Sequence, residues 1–525
     1  MRMLSPADRE RIDRIIADNI EALRATPGFL SVRAGMPIRD GSLVREPGII
    51  VYVRDKTDGG FVAAGGASRT LEGVAVELTV PDPDTQIELL AGTEGAFVPE
   101  AFAAPSYVGL PGDPIDATFT LREPLLCHVG PDSGWVVLRD FLAGTRESLT
   151  AAIYDFNAPY IAAALIEVAL EHGVPIRLAI DDHIEEQEAP LQTLLEEELA
   201  DRYDSTVIFC RAGARFPSAY HEKVIVRDGR AFWLSSGNWT RSSQPEIDPV
   251  GDPGSAAGMY SKGNREWHVV VEDQPLAELF ARYIEHDREQ ARGDAGAFVE
   301  PPASLPELFV PLAALYDETA EAALVAPQPV PPERLPAAGT SCTVRPLLSP
   351  DNYARRVREL IESAERSLYL QYSYINWTDL DIDAELRAVL EYLAELSWRE
   401  DFDLKILVNS RDAAEKVRTL AENGFNEEVF RGQSRIHNKG IVADSARVLV
   451  SSQNWSGDGF LRNRDAGLII YDPAVAAYYE RVFLDDWERR GKSPFATPPV
   501  ALVALEGEPT PPGMVRMSWS DYHTA

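Results

Sequence analysis

His221-Glu222-Lys223-Val224-Ile225-Val226-Arg227-Asp228-Gly229-Arg230-Ala231-Phe232-Trp233-Leu234-Ser235-Ser236-Gly237-Asn238-Trp239 is matched 216 residues later by His437-Asn438-Lys439, then Asp444, then Ser451-Ser452-Gln453-Asn454-Trp455. In both copies the Asp follows the Lys by five positions and the Asn follows the Asp by ten. A single His-x-Lys carries no information, but the same spacing repeated in register does. In extended chain His221 and Lys223 point to one face, because side chains alternate. Val224-Ile225-Val226 and Gly440-Ile441-Val442 read as buried strands carrying that pair at one end. Asp228-Gly229 signals a hairpin turn, with Ala231-Phe232-Trp233-Leu234 as the returning strand. Arg447-Val448-Leu449-Val450 returns the second copy in the same way.

Each hairpin therefore brings an imidazole, an ammonium, hydroxyls and an amide to one point. Lys223 and Lys439 supply positive charge, and Asn238, Asn454, Ser236 and Ser452 supply neutral polar groups, which together suit the non-bridging oxygens of a phosphodiester. One imidazole, His221 or His437, can attack phosphorus while the other protonates the leaving oxygen.

The pattern resembles the phospholipase D superfamily, whose mark is His-x-Lys-x4-Asp-x6-Gly-Ser-x-Asn. The resemblance runs from about residue 116 to 495, and departs where Ser235 and Ser451 replace the Gly. It implies two similar α/β/α lobes packed as a pseudo-dimer around one active site, and a phosphohistidine intermediate formed without metal or cofactor. Catalysis then falls to His221, His437, Lys223 and Lys439, with phosphate held by Asn238, Asn454, Ser236 and Ser452. The N-terminal motif more often supplies the nucleophile, which points to His221 and leaves His437 as a protonated acid.

The duplication extends beyond the motifs. Gly130-Pro131-Asp132 matches Ser349-Pro350-Asp351, and Asn264-Arg265-Glu266 matches Asn463-Arg464-Asp465. Asp465 lies eleven residues after Asn454, where the superfamily often places a carboxylate that orients the catalytic imidazole. Within each half this assigns Asp465 to His437 and Glu266 to His221, the latter displaced by an insertion of seventeen residues. The alternative for either carboxylate is a salt bridge to the neighbouring Arg. Asp228 and Asp444 are assigned to holding their turns. The insertion, roughly Gln244 to Lys262, has loop composition and suits a lid or an idle surface excursion equally.

Strands alternating with helices predict an α/β fold with covered sheet faces. The domain reading is a small α+β domain at 1–115, a first lobe at 116–299, a Pro-rich linker at 300–340, a second lobe at 341–495, and a Pro-rich tail at 496–525. Ile12, Ile15, Ile16, Ile20 and Leu23 fall on one face of the first helix. The aromatics of the tail, Trp519 and Tyr522, suggest that it docks.

Three cysteines imply no disulfide framework, and no Cys/His cluster has metal-ligand spacing. His128, His172, His183 and His268 are scattered. There is no apolar run long enough for a bilayer and no signal-peptide pattern near Asp8, Arg9 and Glu10, so a cytoplasmic monomer is expected. The balance of 50 Lys and Arg against 83 Asp and Glu leaves a net charge of −33. That disfavours nucleic acid, whose binding needs a basic footprint, although anionic lipid would also be repelled. The leading expectation is a phosphodiesterase acting on a phospholipid head group. The alternatives are an endonuclease of the same superfamily acting on DNA or RNA, and a phosphate-binding interaction protein without turnover.

Overall fold

The computed structural model describes residues 6–35, 46–53, 70–79, 106–182, 189–210, 214–294, 328–378, 380–410 and 413–494, with short strands at 38–39, 42–43, 308–311, 502–503 and 514–517. His183, most of the linker, and the tail aromatics Trp519 and Tyr522 lie outside these residues.

The motif hairpins sit at the centre of two sheets with one topology. In the first lobe the order is Tyr203–Ile208, Ile176–Asp181, Leu149–Ile153, Lys223–Arg227, Ala231–Ser235, Glu266–Glu272, Leu125–Gly130 and Glu333–Leu335. In the second it is Phe430–Gln433, Asp403–Asn409, Ser367–Tyr372, Lys439–Ala443, Arg447–Ser451, Asp465–Tyr471, Cys342–Ser349 and Phe119–Leu121. The first three strands of each are parallel and the rest antiparallel. Crossover helices such as Pro159–His172 and Ala384–Leu396 make the parallel part possible, since parallel neighbours need a long connection. The motif strands are buried on both faces, which is why they read as continuous apolar runs rather than alternating ones.

Each hairpin pairs in the expected register, Ile225 with Trp233 and Ile441 with Leu449. Both central turn residues have positive φ, Asp228 at 55° and Gly229 at 62°, then Asp444 at 54° and Ser445 at 56°. A type I′ turn requires this, and it matches the right-handed twist of the strands.

Each sheet is completed at its edge by a segment that precedes the other lobe. Phe119–Leu121 pairs with Cys342–Ser349 of the second lobe, and Glu333–Leu335 pairs with Leu125–Gly130 of the first. The exchange obeys the pseudo-twofold relation of the repeat. It also gives the stretch before the second lobe a structural role besides connection. Between the sheets a single apolar cluster draws Phe280 and Tyr283 from one lobe together with Val475, Tyr479 and Phe483 from the other. The lobes therefore share a core.

In the N-terminal segment the helix Pro6–Asp18 buries Ile12, Ile15 and Ile16 against Ile49, Val51 and Val76. The sheet order there is Phe29–Gly35, Gly48–Val53, Val74–Thr79, Thr70–Leu71. Arg33 joins this segment to the second lobe through a 2.6 Å ion pair with the buried Glu422.

The insertion differs from its loop composition. Pro253–Tyr260 is a helix, with Pro at its start and the Asp252 side chain accepting the Ser255 amide. Proline suits the first helical turn because its missing donor is not needed there. The Tyr260 hydroxyl donates to buried Asp132 at 2.6 Å, which pins the insertion to the lobe.

Candidate active site

The motif strands are cross-linked where they meet. The His221 amide donates to the Arg464 carbonyl at 2.7 Å, and the His437 amide donates to the Arg265 carbonyl at 3.1 Å. Each motif imidazole therefore emerges beside the segment of the opposite lobe that carries a carboxylate. His221 Nδ1 bonds Asp465 Oδ1 at 2.7 Å, and His437 Nδ1 bonds Glu266 Oε1 at 2.7 Å. The carboxylates accept only, so Nδ1 carries the proton in both rings and Nε2 is left to react.

This corrects the assignment made within each half. Asp465 orients His221 and Glu266 orients His437, because the pseudo-twofold axis places each carboxylate beside the other lobe's motif. The neighbouring arginines are not their partners. Arg265 binds buried Asp132 and Asp486, and Arg464 binds Asp287 at 2.7 Å and Asp351 at 2.6 Å. These two ion clusters stand in matching places and lock the bridging segments.

Ser236 and Ser452 are also reassigned. Ser236 Oγ donates to Glu266 Oε2 at 2.5 Å and accepts from the Trp267 amide at 3.1 Å. Ser452 Oγ donates to Asp465 Oδ1 at 2.5 Å and accepts from the Ala466 amide at 3.1 Å. Their hydroxyl protons are committed to the carboxylates, so they steady the pairs rather than present donors to phosphate. Ser243, just before the insertion, adds a third donor to Glu266 at 2.9 Å. Gly237 has to be glycine, since a Cβ there would stand 2.8 Å from the Glu266 carboxyl.

Lys223 and Lys439 are fully buried, and each Nζ donates to the carbonyl of its own motif histidine, at 2.6 and 2.5 Å. Burial lowers both ammonium groups, Lys439 to about 8, while the site carboxylates oppose the shift. His221 is lowered to about 3 by burial and then by Lys223, with Asp465 opposing. His437 is also below its ordinary value, through burial and Lys439 against the pull of Glu266. Both shifts run toward the neutral imidazole, opposite to the direction expected for His437. Glu266 is held at about 2, burial being outweighed by His437, Lys439 and Ser236.

The turn aspartates lie away from this centre. Asp228 accepts the amides of Arg146, Glu147 and Ser148, and Asp444 accepts those of Glu365, Arg366 and Ser367. Each ties its turn to the start of the neighbouring strand. The serines that replace the superfamily glycine are accommodated, Ser235 beside His268 Nδ1 at 2.6 Å and Ser451 on the Lys439 carbonyl at 2.7 Å. His128 and His268 stack behind the first hairpin, both fully buried.

One group near the site was missed. Asp155 Oδ2 accepts from Asn238 Nδ2 at 2.6 Å. Tyr154 stands beside it, its ring 4.8 Å from that of His221 and 5.1 Å from Lys223 Nζ. A comparison of the repeats offered the signal, since Asp155 has no acidic counterpart in the second half. Asp181, Asp182 and Cys210 bring three potential metal-ligand atoms within 4.8 Å of one another, yet Asp181 is already committed to the Tyr220 amide at 2.6 Å.

The family model for the phospholipase D-like domain of cardiolipin synthase matches residues 138–288 and 357–487, more than half of the chain. The chain belongs to the phospholipase D superfamily. No curated protein matches its sequence. Among solved structures, phosphatidylserine synthase from Haemophilus influenzae is similar at 14% identity and a TM-score of 0.47, over 70% of this chain and 89% of that one. The superfamily member Nuc from Salmonella typhimurium is similar at 20% identity and a TM-score of 0.25, over 33% and 96%. Polyphosphate kinase from Porphyromonas gingivalis is similar at 12% identity and a TM-score of 0.35, over 70% and 50%. Likenesses this distant bear on no substrate. Among the described residues of this phospholipase D-like chain, no helix is long and apolar enough to cross a membrane.

Proposed function

We propose that the protein is a phosphodiesterase of phospholipase D type that cleaves or transfers a phosphodiester, with a phospholipid head group as the favoured substrate. The crossed pairs His221–Asp465 and His437–Glu266 carry this reading, because they present two Nδ1-anchored imidazoles from different lobes to one centre.

Neutral His221 attacks phosphorus through Nε2, and the P–O bond to the leaving alcohol breaks as the P–N bond forms. The leaving oxygen takes a proton from His437. That proton is acquired with the substrate, whose negative charge raises the imidazole that burial and Lys439 keep low. His437 then accepts a proton from water or a second alcohol, which attacks phosphorus and releases His221. Lys223, Lys439, Asn238 and Asn454 hold the non-bridging oxygens. These groups supply the charge stabilisation that a metal gives elsewhere.

Two observations favour lipid over nucleic acid. The matching family model is that of cardiolipin synthase, and the net charge of −33 opposes a polyanion. The test is turnover of phosphatidylcholine, phosphatidylglycerol, single-stranded DNA and duplex DNA with chelator present. Release of head group from a lipid is expected. Cleavage of DNA alone would transfer the reading to an endonuclease, and loss of turnover restored only by a divalent ion would remove the metal-free mechanism.

A further inference from the structure

The pseudo-twofold symmetry of the site is broken by a whole charge. The bridges Phe156–Trp239 and Ile375–Trp455 are equivalent in the two lobes, so the residues just before them, Asp155 and Tyr374, occupy matching positions. Asp155 is 2% exposed, and it receives the Asn238 amide through its carboxylate and the Trp239 amide through its carbonyl. Asn454 is bonded to no carboxylate among the described residues. Tyr374 instead lies 4.2 Å beneath the ammonium of Lys416.

A buried carboxylate is costly unless opposite charge compensates it. Here the compensation comes from the motif lysines, since Asp155 favours the charged form of both Lys223 and Lys439. The site thus holds three carboxylates, Glu266, Asp465 and Asp155, against at most two ammonium groups, both lowered by burial. With both imidazoles neutral it carries at least one excess negative charge. A phosphodiester adds one negative charge to this balance. A phosphate monoester adds nearly two above its second pKa of about 6, and inorganic phosphate, which loses its second proton somewhat higher, adds nearly two at pH 8.

We infer that Asp155 is a positioning and specificity residue, which fixes the Asn238 amide and by its charge restricts the phosphate subsite to singly charged diesters. One N–H of Asn238 is spent on Asp155, and the second remains for a phosphate oxygen. Asp155 thereby aims the donor while repelling a dianion. The inference rests on the reading of this site as a phosphodiester site.

The test is a 31P NMR titration of the full-length protein at pH 8 with dimethyl phosphate and with inorganic phosphate. The wild type should bind dimethyl phosphate at least about tenfold more tightly. Asp155→Asn keeps an acceptor for Asn238 and removes only the charge. It should strengthen inorganic phosphate about tenfold and change dimethyl phosphate by less than about threefold. Asp155→Ala should weaken dimethyl phosphate, because Asn238 loses its anchor. Asp155→Ser, smaller and neutral, replaces Asp155→Asn if that variant does not fold. A ratio of the two affinities that stays put when the charge is removed overturns the inference alone. Failure of the wild type to bind either anion overturns the phosphodiester reading and this inference with it.

Discussion

Glu266 Oε1 holds His437 Nδ1 at 2.7 Å across 171 residues of chain, and the mirrored contact between Asp465 and His221 spans 244. Each half of the duplicated chain therefore carries the orienting carboxylate for the other half's imidazole. The effect of changing Glu266 should appear at His437. Glu266→Gln should lower kcat by a hundredfold or more, since a neutral amide neither fixes the tautomer nor supports the imidazolium. In 15N spectra of the histidine rings, Glu266→Gln should lower the His437 pKa further and leave His221 in place. A shift confined to His221 would refute the crossed arrangement.

The crossing also predicts how isolated lobes behave. Residues 116–300 contain His221 and Lys223 but neither Asp465 nor the second lysine. Expressed alone as a monomer, this piece should show no turnover, whereas self-association could rebuild a twofold site. Turnover by the monomeric piece, established by sedimentation alongside the assay, would contradict a shared centre.

The repeated spacing of the two motifs makes the hairpins, the two-lobe α/β architecture and the imidazole–lysine pairs legible in the sequence. Strand burial and turn chemistry are local properties, so Val224-Ile225-Val226 and Asp228-Gly229 announce themselves. Pairing across a pseudo-twofold axis is not local. Glu266 and Asp465 occupy equivalent places, so partnership within a lobe and partnership between lobes satisfy the same spacing. Only the bonds from His221 to Arg464 and from His437 to Arg265 decide between them. The exchanged edge strand Glu333–Leu335 was hidden for a similar reason, because proline-rich composition masks a short edge strand. Ser236 and Ser452 misled because a motif hydroxyl looks the same whether it serves phosphate or carboxylate.

The turn aspartates should matter for stability and not for chemistry. Asp444 is 8% exposed and Asp228 is more open, and each accepts three backbone amides. Asp444→Ala should cost about 2 kcal/mol, and Asp228→Ala somewhat less because water can reach the abandoned amides. The kcat of the folded fraction should stay within about twofold of wild type. Denaturant unfolding together with activity per folded molecule checks both statements.

Acid should weaken the fold well above the range of ordinary carboxylates. Buried His221 and His268 are depressed to about 3 and about 4 by desolvation, and His128 is also lowered. In the unfolded chain these rings titrate near 6.5, so between that value and their folded pKa the unfolded state binds more protons. Stability from these groups is complete above about pH 6.5 and is lost as pH falls through that window. At pH 5 the loss is about 2 kcal/mol each for His221 and His268. Unfolding midpoints at pH 7.5 and pH 5 measure the drop, and His268→Gln should reduce it by about 2 kcal/mol. Equal stability at the two pH values would be incompatible with neutral buried imidazoles.

The two imidazoles are separable by the bond each makes to substrate. On the proposed mechanism His221 forms the covalent link to phosphorus and His437 moves protons. His221 suits the nucleophilic role because burial and Lys223 hold its pKa at about 3, which leaves its Nε2 lone pair available throughout the working range. His437, where Glu266 outweighs Lys439 in opposing the effect of burial, is the ring better placed to carry positive charge when an anion arrives. A nitrophenyl phosphodiester discriminates between these roles, because its leaving oxygen hardly needs a proton. His437→Ala should still form a phosphoryl-enzyme from this substrate and should accumulate it, since attack by water lacks its base. His221→Ala should form none. Acid-labile 32P label recovered on the peptide containing His221 in the His437→Ala protein is the expected result. Label on His437 in the His221→Ala protein would reverse the assignment, and no label in either protein would remove covalent catalysis.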